Sequence, residues 1–272
     1  MHYYYCCHTL CCSIIILSAL SILAICLERI DATTTTAVAY LPIHHLPNIE
    51  MTTTTTSLHA ALTLSMPPES ESPRILVQRG MQCFRNYDVP SSLDYFDKAD
   101  ALALPKGSLS PYLWQRGISY YYLNRFQEGS NQFRLDVSVN PLDVEEIVWD
   151  IACLTRATGD TDRKFPPEKC MALPAGKIDR RRIMSTVYSL FRDDGATEYD
   201  LRSAGHSGTM SDEFYSLFYL GLYCEIRDES TKAEQYMKAA ATSAYAVGGG
   251  AGDYMSSCAK VHCKLRNWEI AV

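Results

Sequence analysis

Apolar side chains recur at helical spacing around three glycines. Four positions before Gly80 stands Leu76, three after it Cys83, and the next turns bring a small residue at Ser92, a ring at Phe96 and then Ala99. The same offsets from Gly117 reach Leu113, Tyr120, Gly129 and Phe133, and those from Gly221 reach Leu217, Cys224, Ala233 and Met237, followed by Ala240. A 3.6-residue period of this kind predicts pairs of amphipathic helices whose small residues let the two members approach closely. Gly80 and Gly117 lie thirty-seven residues apart and both close the tripeptide Gln-Arg-Gly. A period in this range is that of a helical hairpin, which buries its apolar face only by stacking on a neighbour.

The remaining pattern predicts further helices. Asp143 offers an N-cap with Glu146 three residues on, Ile147, Ile151 and Leu154 give an apolar stripe, Trp149 lies off that line, and Gly159 closes the run. A Pro-rich connection, 165–176, leads to a helix over 178–191 with Ile183, Val187, Leu190 and Phe191 apolar. The stretch 193–209 reads as a polar loop, and Ser211-Asp212-Glu213 starts the next helix with a favourable negative end. After the glycine run 248–250, Met255, Cys258, Val261, His262 and Leu265 share one face of a last helix over 254–268, anchored by Leu265 and Trp268.

The order of large residue, glycine, aromatic, small, aromatic and alanine or proline resembles the tetratricopeptide repeat. Three units carry it: Leu76, Gly80, Cys83, Ser92, Phe96 and Ala99; Leu113, Gly117, Tyr120, Gly129, Phe133 and Pro141; Leu217, Gly221, Cys224, Ala233, Met237 and Ala240. The family period is 34 residues, so the extra three in the first unit belong to the Leu104-Pro105-Lys106-Gly107 turn. Asp136 replaces a small residue, and the third unit ends in Ala244-Tyr245 where the family has proline. The resemblance implies an all-α fold of helical hairpin repeats, a solenoid of that type, with repeats over about 73–106, 110–142 and 211–245, divergent helices over 143–192 and a C-terminal capping helix.

It also implies a concave face, set by positions three before and one, four and five after each glycine. Trp114, Ile118, Tyr121, Tyr122, Phe218 and Leu222 are its candidate partner-binding residues, with Val77, Met81, Phe84, Arg85, Glu225 and Ile226 beside them. Chaperone-binding members place Lys and Asn where this chain has Val77 and Met81. Two readings follow: the face holds an apolar helix or extended peptide of another protein, or the extra helices fold onto it and it is core.

Composition divides the chain near Pro73. Residues 1–27 contain the apolar run Leu10 to Leu27, a signal peptide or a signal anchor of nearly membrane-spanning length. Residues 28–72 are threonine-rich, with Thr33–Thr36 and Thr52–Thr56, and read as a disordered or transit segment. Within it, Ala37-Val38-Ala39-Tyr40-Leu41-Pro42 resembles the signal junction of plastid preproteins. The expected location is either the endomembrane or secretory route itself or, beyond it, a plastid, with a membrane tether where the signal is not cleaved. Five of the eleven cysteines lie in this leader, and the six that remain are spread through a large helical domain, which argues against a dense disulfide scaffold.

Candidate chemistry is sparse. The run 248–252 lacks the Gly-Lys-Ser/Thr end of a phosphate loop, and Gly205-His206-Ser207-Gly208 has Thr209 where a nucleophile elbow needs glycine. Cys258, His262 and Cys263 have no second ligand pair for zinc. Arg180-Arg181-Arg182 is a lone basic run on a chain of net charge -6, which disfavours nucleic acid. The expectation is a non-catalytic module, without cofactor or metal, that binds another protein or peptide. A membrane-tethered structural protein is the alternative, and a helical enzyme using Gly205–Gly208 or Cys258 with His262 is the rival from another class.

Overall fold

The computed structural model describes residues 72–157 and 164–270. The leader, its apolar run and its cleavage motif, and Gly159 with them, lie outside these residues. Among the described residues the fold is all-α, with eleven α-helices, one 3-10 turn and no strand.

Three helix pairs follow the three glycines: α1 (Pro73–Arg85) on α2 (Val89–Leu102), α3 (Trp114–Tyr122) on α4 (Phe126–Val139), and α8 (Met210–Ile226) on α9 (Ser230–Ala241). In each pair the glycine lies against the side chain sixteen positions on. A Cβ placed on Gly80 would stand 2.8 Å from the Phe96 ring, on Gly117 2.7 Å from the Phe133 ring, and on Gly221 3.0 Å from Met237 Cε. Real side chains do not tolerate the first two distances, so a bulky ring fills the space that a side chain would need. This close packing compensates the roughly 1 kcal/mol that glycine costs a helix interior.

Between the second and third pairs come α5 (Val144–Ala157), α6 (Arg182–Phe191) and α7 (Glu198–His206), and the chain ends in the short α10 (Ala244–Val247) and in α11 (Tyr254–Leu265). Helix α5 packs on α4 and meets α8, while α7 packs on both α6 and α8. Helix α11 touches α9 and also α1, so the last helix bridges the third pair to the first. Trp149 is buried and serves as the second contact face of α5, stacked on Phe133 at 6.1 Å between centroids and edge-on to Tyr121 at 5.1 Å.

Several expectations are corrected. The polar loop at 193–209 contains helix α7, capped by Thr197 and Asp200 in a reciprocal capping box. Its Gly205 packs against Ser216 of α8. The helix placed over 178–191 starts only at Arg182, and Ile178 is largely exposed. Leu265 is more exposed than the core face of its helix, whereas Trp268, beyond the helix end, packs on His262 at 5.3 Å. Cys83 and Tyr120, taken as core, are only partly buried, and the next residue round the helix takes their place, with Phe84 and Tyr121 fully buried.

Asp136 is buried and belongs to a hydrogen-bonded chain. It accepts a hydrogen bond from Gln132 Nε2 at 2.9 Å, and Gln132 Oε1 accepts one from Arg116 Nε at 2.8 Å. Arg116 Nη1 reaches Asp100 of α2 at 2.9 Å, so a buried polar chain ties the first pair to the second. The two Gln-Arg-Gly tripeptides therefore differ in use: Arg116 is buried, and Arg79 is exposed.

Candidate functional site

The structure brings the predicted concave residues together and covers them. Ile118, Tyr121, Tyr122, Phe218 and Leu222 are buried, and only Trp114 keeps partial access. Of the two alternatives for this set, its burial accords with core: α11 and α5 lie over it. Tyr254 of α11 stacks on Phe84 at 5.0 Å and stands edge-on to Trp114 at 5.2 Å. Trp149 of α5 meets Tyr121 and Phe218.

Polar groups of α3, α8 and α11 meet inside this aromatic layer. Tyr121 donates its hydroxyl to Glu225 Oε2 at 2.7 Å, and Arg266 Nε donates to Glu225 Oε1 at 2.5 Å. His262 Nδ1 lies 3.0 Å from the Tyr122 hydroxyl, which is also 3.4 Å from Cys258 Sγ. With Nδ1 accepting from Tyr122, the ring proton belongs on Nε2, which faces Glu225 Oε1 at 3.4 Å.

Burial opposes the charge on Glu225, but the His262 ring, the Arg266 guanidinium and the Tyr121 hydroxyl more than offset it and hold the carboxyl at about 2. Burial likewise pushes His262 down to about 4, against the pull of Glu225. At neutral pH the ring is therefore uncharged and Arg266 is the standing counter-ion of Glu225. Burial raises the Cys258 thiol to about 12, which leaves it protonated and unreactive. Cys258 and His262 are thus fully enclosed, and Cys263 on the same helix lies near Lys238 and Glu234 of α9.

No family model, curated protein or solved structure matches this chain. The site is therefore argued from its own geometry.

The other sequence candidates are placed as follows. Gly205 and His206 end α7, and Ser207 accepts a hydrogen bond from Arg182 Nη2 at 2.9 Å, so the elbow-like tetrapeptide is a helix terminus. In the basic run, Arg181 pairs with Asp179 and Glu145, each at 2.7 Å, and Arg182 bonds to Ser207 after α7, so two of the three exposed arginines have partners within the domain. Gly250 lies against the Tyr245 ring and helps to turn the chain into α11. The six cysteines of the described domain are free.

Two clusters were not foreseen. Glu198, Cys224 and Glu229 bring ligand atoms within 4.8 Å of one another. Lys232 Nζ already sits there, 2.6 Å from Glu229 and 3.2 Å from Glu198, so a lysine ammonium supplies the positive charge. The second is an open cleft of about 420 Å³ beside Glu225, lined by Arg156, Glu225, Asp228, Ser230, Ala233, Arg266 and Trp268. These residues come from α5, the end of α8, the turn after it, the start of α9 and the segment after α11, so spacing along the chain could not have joined them.

Proposed function

We propose that this chain is a non-catalytic helical-repeat protein of tetratricopeptide type that binds or scaffolds another protein in a membrane-bounded compartment. The observation that carries the reading is the threefold contact of Gly80 on Phe96, Gly117 on Phe133 and Gly221 on Met237 at one offset. It supports a repeat in which each hairpin is built by the same close helix approach and needs its neighbours for burial. Because the inner face is filled, the partner is met by the outer surface, where Leu104, Ile178 and Tyr199 remain largely exposed.

Delivery by the leader, onward to a plastid, belongs to the same reading. No helix among the described residues is long and apolar enough to cross a membrane, so a tether would rest on residues 10–27. N-terminal sequencing of the mature protein separates the soluble from the tethered form.

The binding reading is tested by cross-linking the full chain in its own compartment and mapping the joined residues. Expected is a stoichiometric partner joined to outer positions and lost with Tyr199→Ala or Leu104→Ser. A monodisperse monomer that joins to nothing would contradict it.

A further inference from the structure

The turn between α6 and α7 carries the only Asp-Gly pair of the chain, Asp194-Gly195, and Asn-Gly does not occur. After α6 the chain reverses through Asp193 at φ 53° and Gly195 at φ 86°. The Asp194 amide donates to Ser189 O at 2.8 Å, the Asp194 carbonyl accepts from Ser189 Oγ, and the Ala196 amide donates back to that hydroxyl at 3.2 Å. One amide of the turn is left over: among the described residues the Gly195 N–H has no hydrogen-bond partner, and Asp194 and Gly195 are both exposed. The Asp194 carboxylate is equally free among the described residues. By contrast, the carboxylates of Asp200, Asp212 and Asp253 each accept a backbone N–H at a helix start.

An unbonded nitrogen beside an unbonded carboxyl suits a reaction within the chain. Covalent geometry lets Asp194 Cγ and the Gly195 nitrogen close a five-membered ring, so no second molecule has to be brought in. A side chain at residue 195 would crowd that ring, and glycine has none; even a Cβ there would meet no atom within 4 Å. Ser189 donates to the carbonyl of the same peptide unit, where charge develops as the N–H gives up its proton.

We propose that Asp194-Gly195 is a site of spontaneous isoaspartate formation in the folded protein. The Gly195 nitrogen bonds to Asp194 Cγ, and the N–H proton leaves with the carboxyl hydroxyl as one water, giving a cyclic imide. One water then adds back. Opening at the Cγ side restores aspartate, and opening at the α side leaves the chain running through Cγ with the α-carboxylate as a branch. In that product the carbonyl held by Ser189 has left the main chain, which gains one methylene two residues before the Thr197 cap of α7. The turn then no longer fits, and α7 loosens. Nothing in the reaction requires a bound protein, so it stands or falls apart from the partner reading.

Prolonged incubation of the full chain near neutral pH in heavy-oxygen water, followed by electron-transfer mass spectrometry of its peptides, tests the site. Isoaspartate carrying one heavy oxygen should accumulate at residue 194, at least about tenfold above Asp200, Asp212 or Asp253. Asp194→Glu, which would have to close a six-membered ring, should abolish the product with the melting temperature unchanged. Isomerised molecules should exchange the amides of residues 198–206 faster than unreacted ones. Absence of isoaspartate at residue 194, equal amounts at the three capping aspartates, a product that persists in Asp194→Glu, or unaltered exchange in α7 would each overturn the proposal.

Discussion

Gly117 lies against the ring of Phe133, and a Cβ on the glycine would stand 2.7 Å from two of the ring carbons. Phe133 cannot swing away, since it is fully buried and stacked on Trp149. Gly117→Ala is therefore expected to destabilise the domain by about 2 kcal/mol, although alanine is the better helix former. At Gly249 no atom lies within 4 Å of the added carbon, and Gly249→Ala should change stability by less than about 0.5 kcal/mol. Urea melts of the two variants check the pair. Equal effects would remove the close-contact account of the repeat.

Asp136 gives stability a dependence on pH that runs opposite to ordinary acid denaturation. Burial raises its carboxyl to about 7, against the hydrogen bond from Gln132 and the charge of Arg116. Between the unfolded value near 4 and about 7 the folded state holds the proton that the unfolded state has lost. The contribution is therefore complete at acid pH and is lost as pH rises to 7. Asp136→Asn, which keeps the acceptor for Gln132, should gain on the order of 2 kcal/mol over the parent at pH 8 and nothing at pH 3.5. Denaturant melts at the two pH values measure this.

His262 acts in the other direction. Its folded value of about 4 lies below the unfolded value of 6.5, so the unfolded state binds the extra proton between them. Stability from this ring is present above pH 6.5 and is lost as pH falls towards 4. Trp268 packs on the imidazole, so its emission should report the loosening of α11 over that window. His262→Gln should flatten the change, and an unaltered profile would place the acid sensitivity elsewhere.

Tyr121→Phe removes a hydroxyl that donates to the buried Glu225 at 2.7 Å. The carboxylate keeps Arg266 but loses one of its hydrogen bonds, at a cost of about 2 kcal/mol. Thermal melting of this variant beside Tyr120→Phe, whose ring is partly exposed, gives the comparison. The Tyr120 change should cost far less.

Much of this architecture was legible because local rules and tertiary packing agree. The Gly-to-Phe offset places Phe96 and Phe133 where the structure has them, and the stripe of Ile147 and Ile151 marks α5. Helix α7 was missed because its polar composition hides an apolar face of only two buried residues, Leu201 and Gly205. Its signal was the Thr197-x-x-Asp200 capping box, of the kind used for Asp143 and Glu146. At one position in each of α1 and α3 the expected core residue, Cys83 or Tyr120, is partly exposed, while Leu76, Gly80, Leu113 and Gly117 are buried as the pattern predicts. A period of 3.6 cannot tell whether Cys83 or Phe84 points inward once helices cover both sides of the pair. The cleft was illegible for another reason, since Arg156 and Arg266 meet only through the docking of α11, a long-range contact that leaves no trace in spacing.

The central claim is that α11 fills the inner face of the helix pairs, and cysteine reactivity reads it directly. Cys258 of α11 is fully buried, while Cys83 of α1 is partly exposed. In a time course of iodoacetamide labelling resolved by mass spectrometry, Cys83 should react in the native protein, while Cys258 stays protected until the domain unfolds. Labelling of Cys258 at the rate of Cys83 under native conditions would contradict the account.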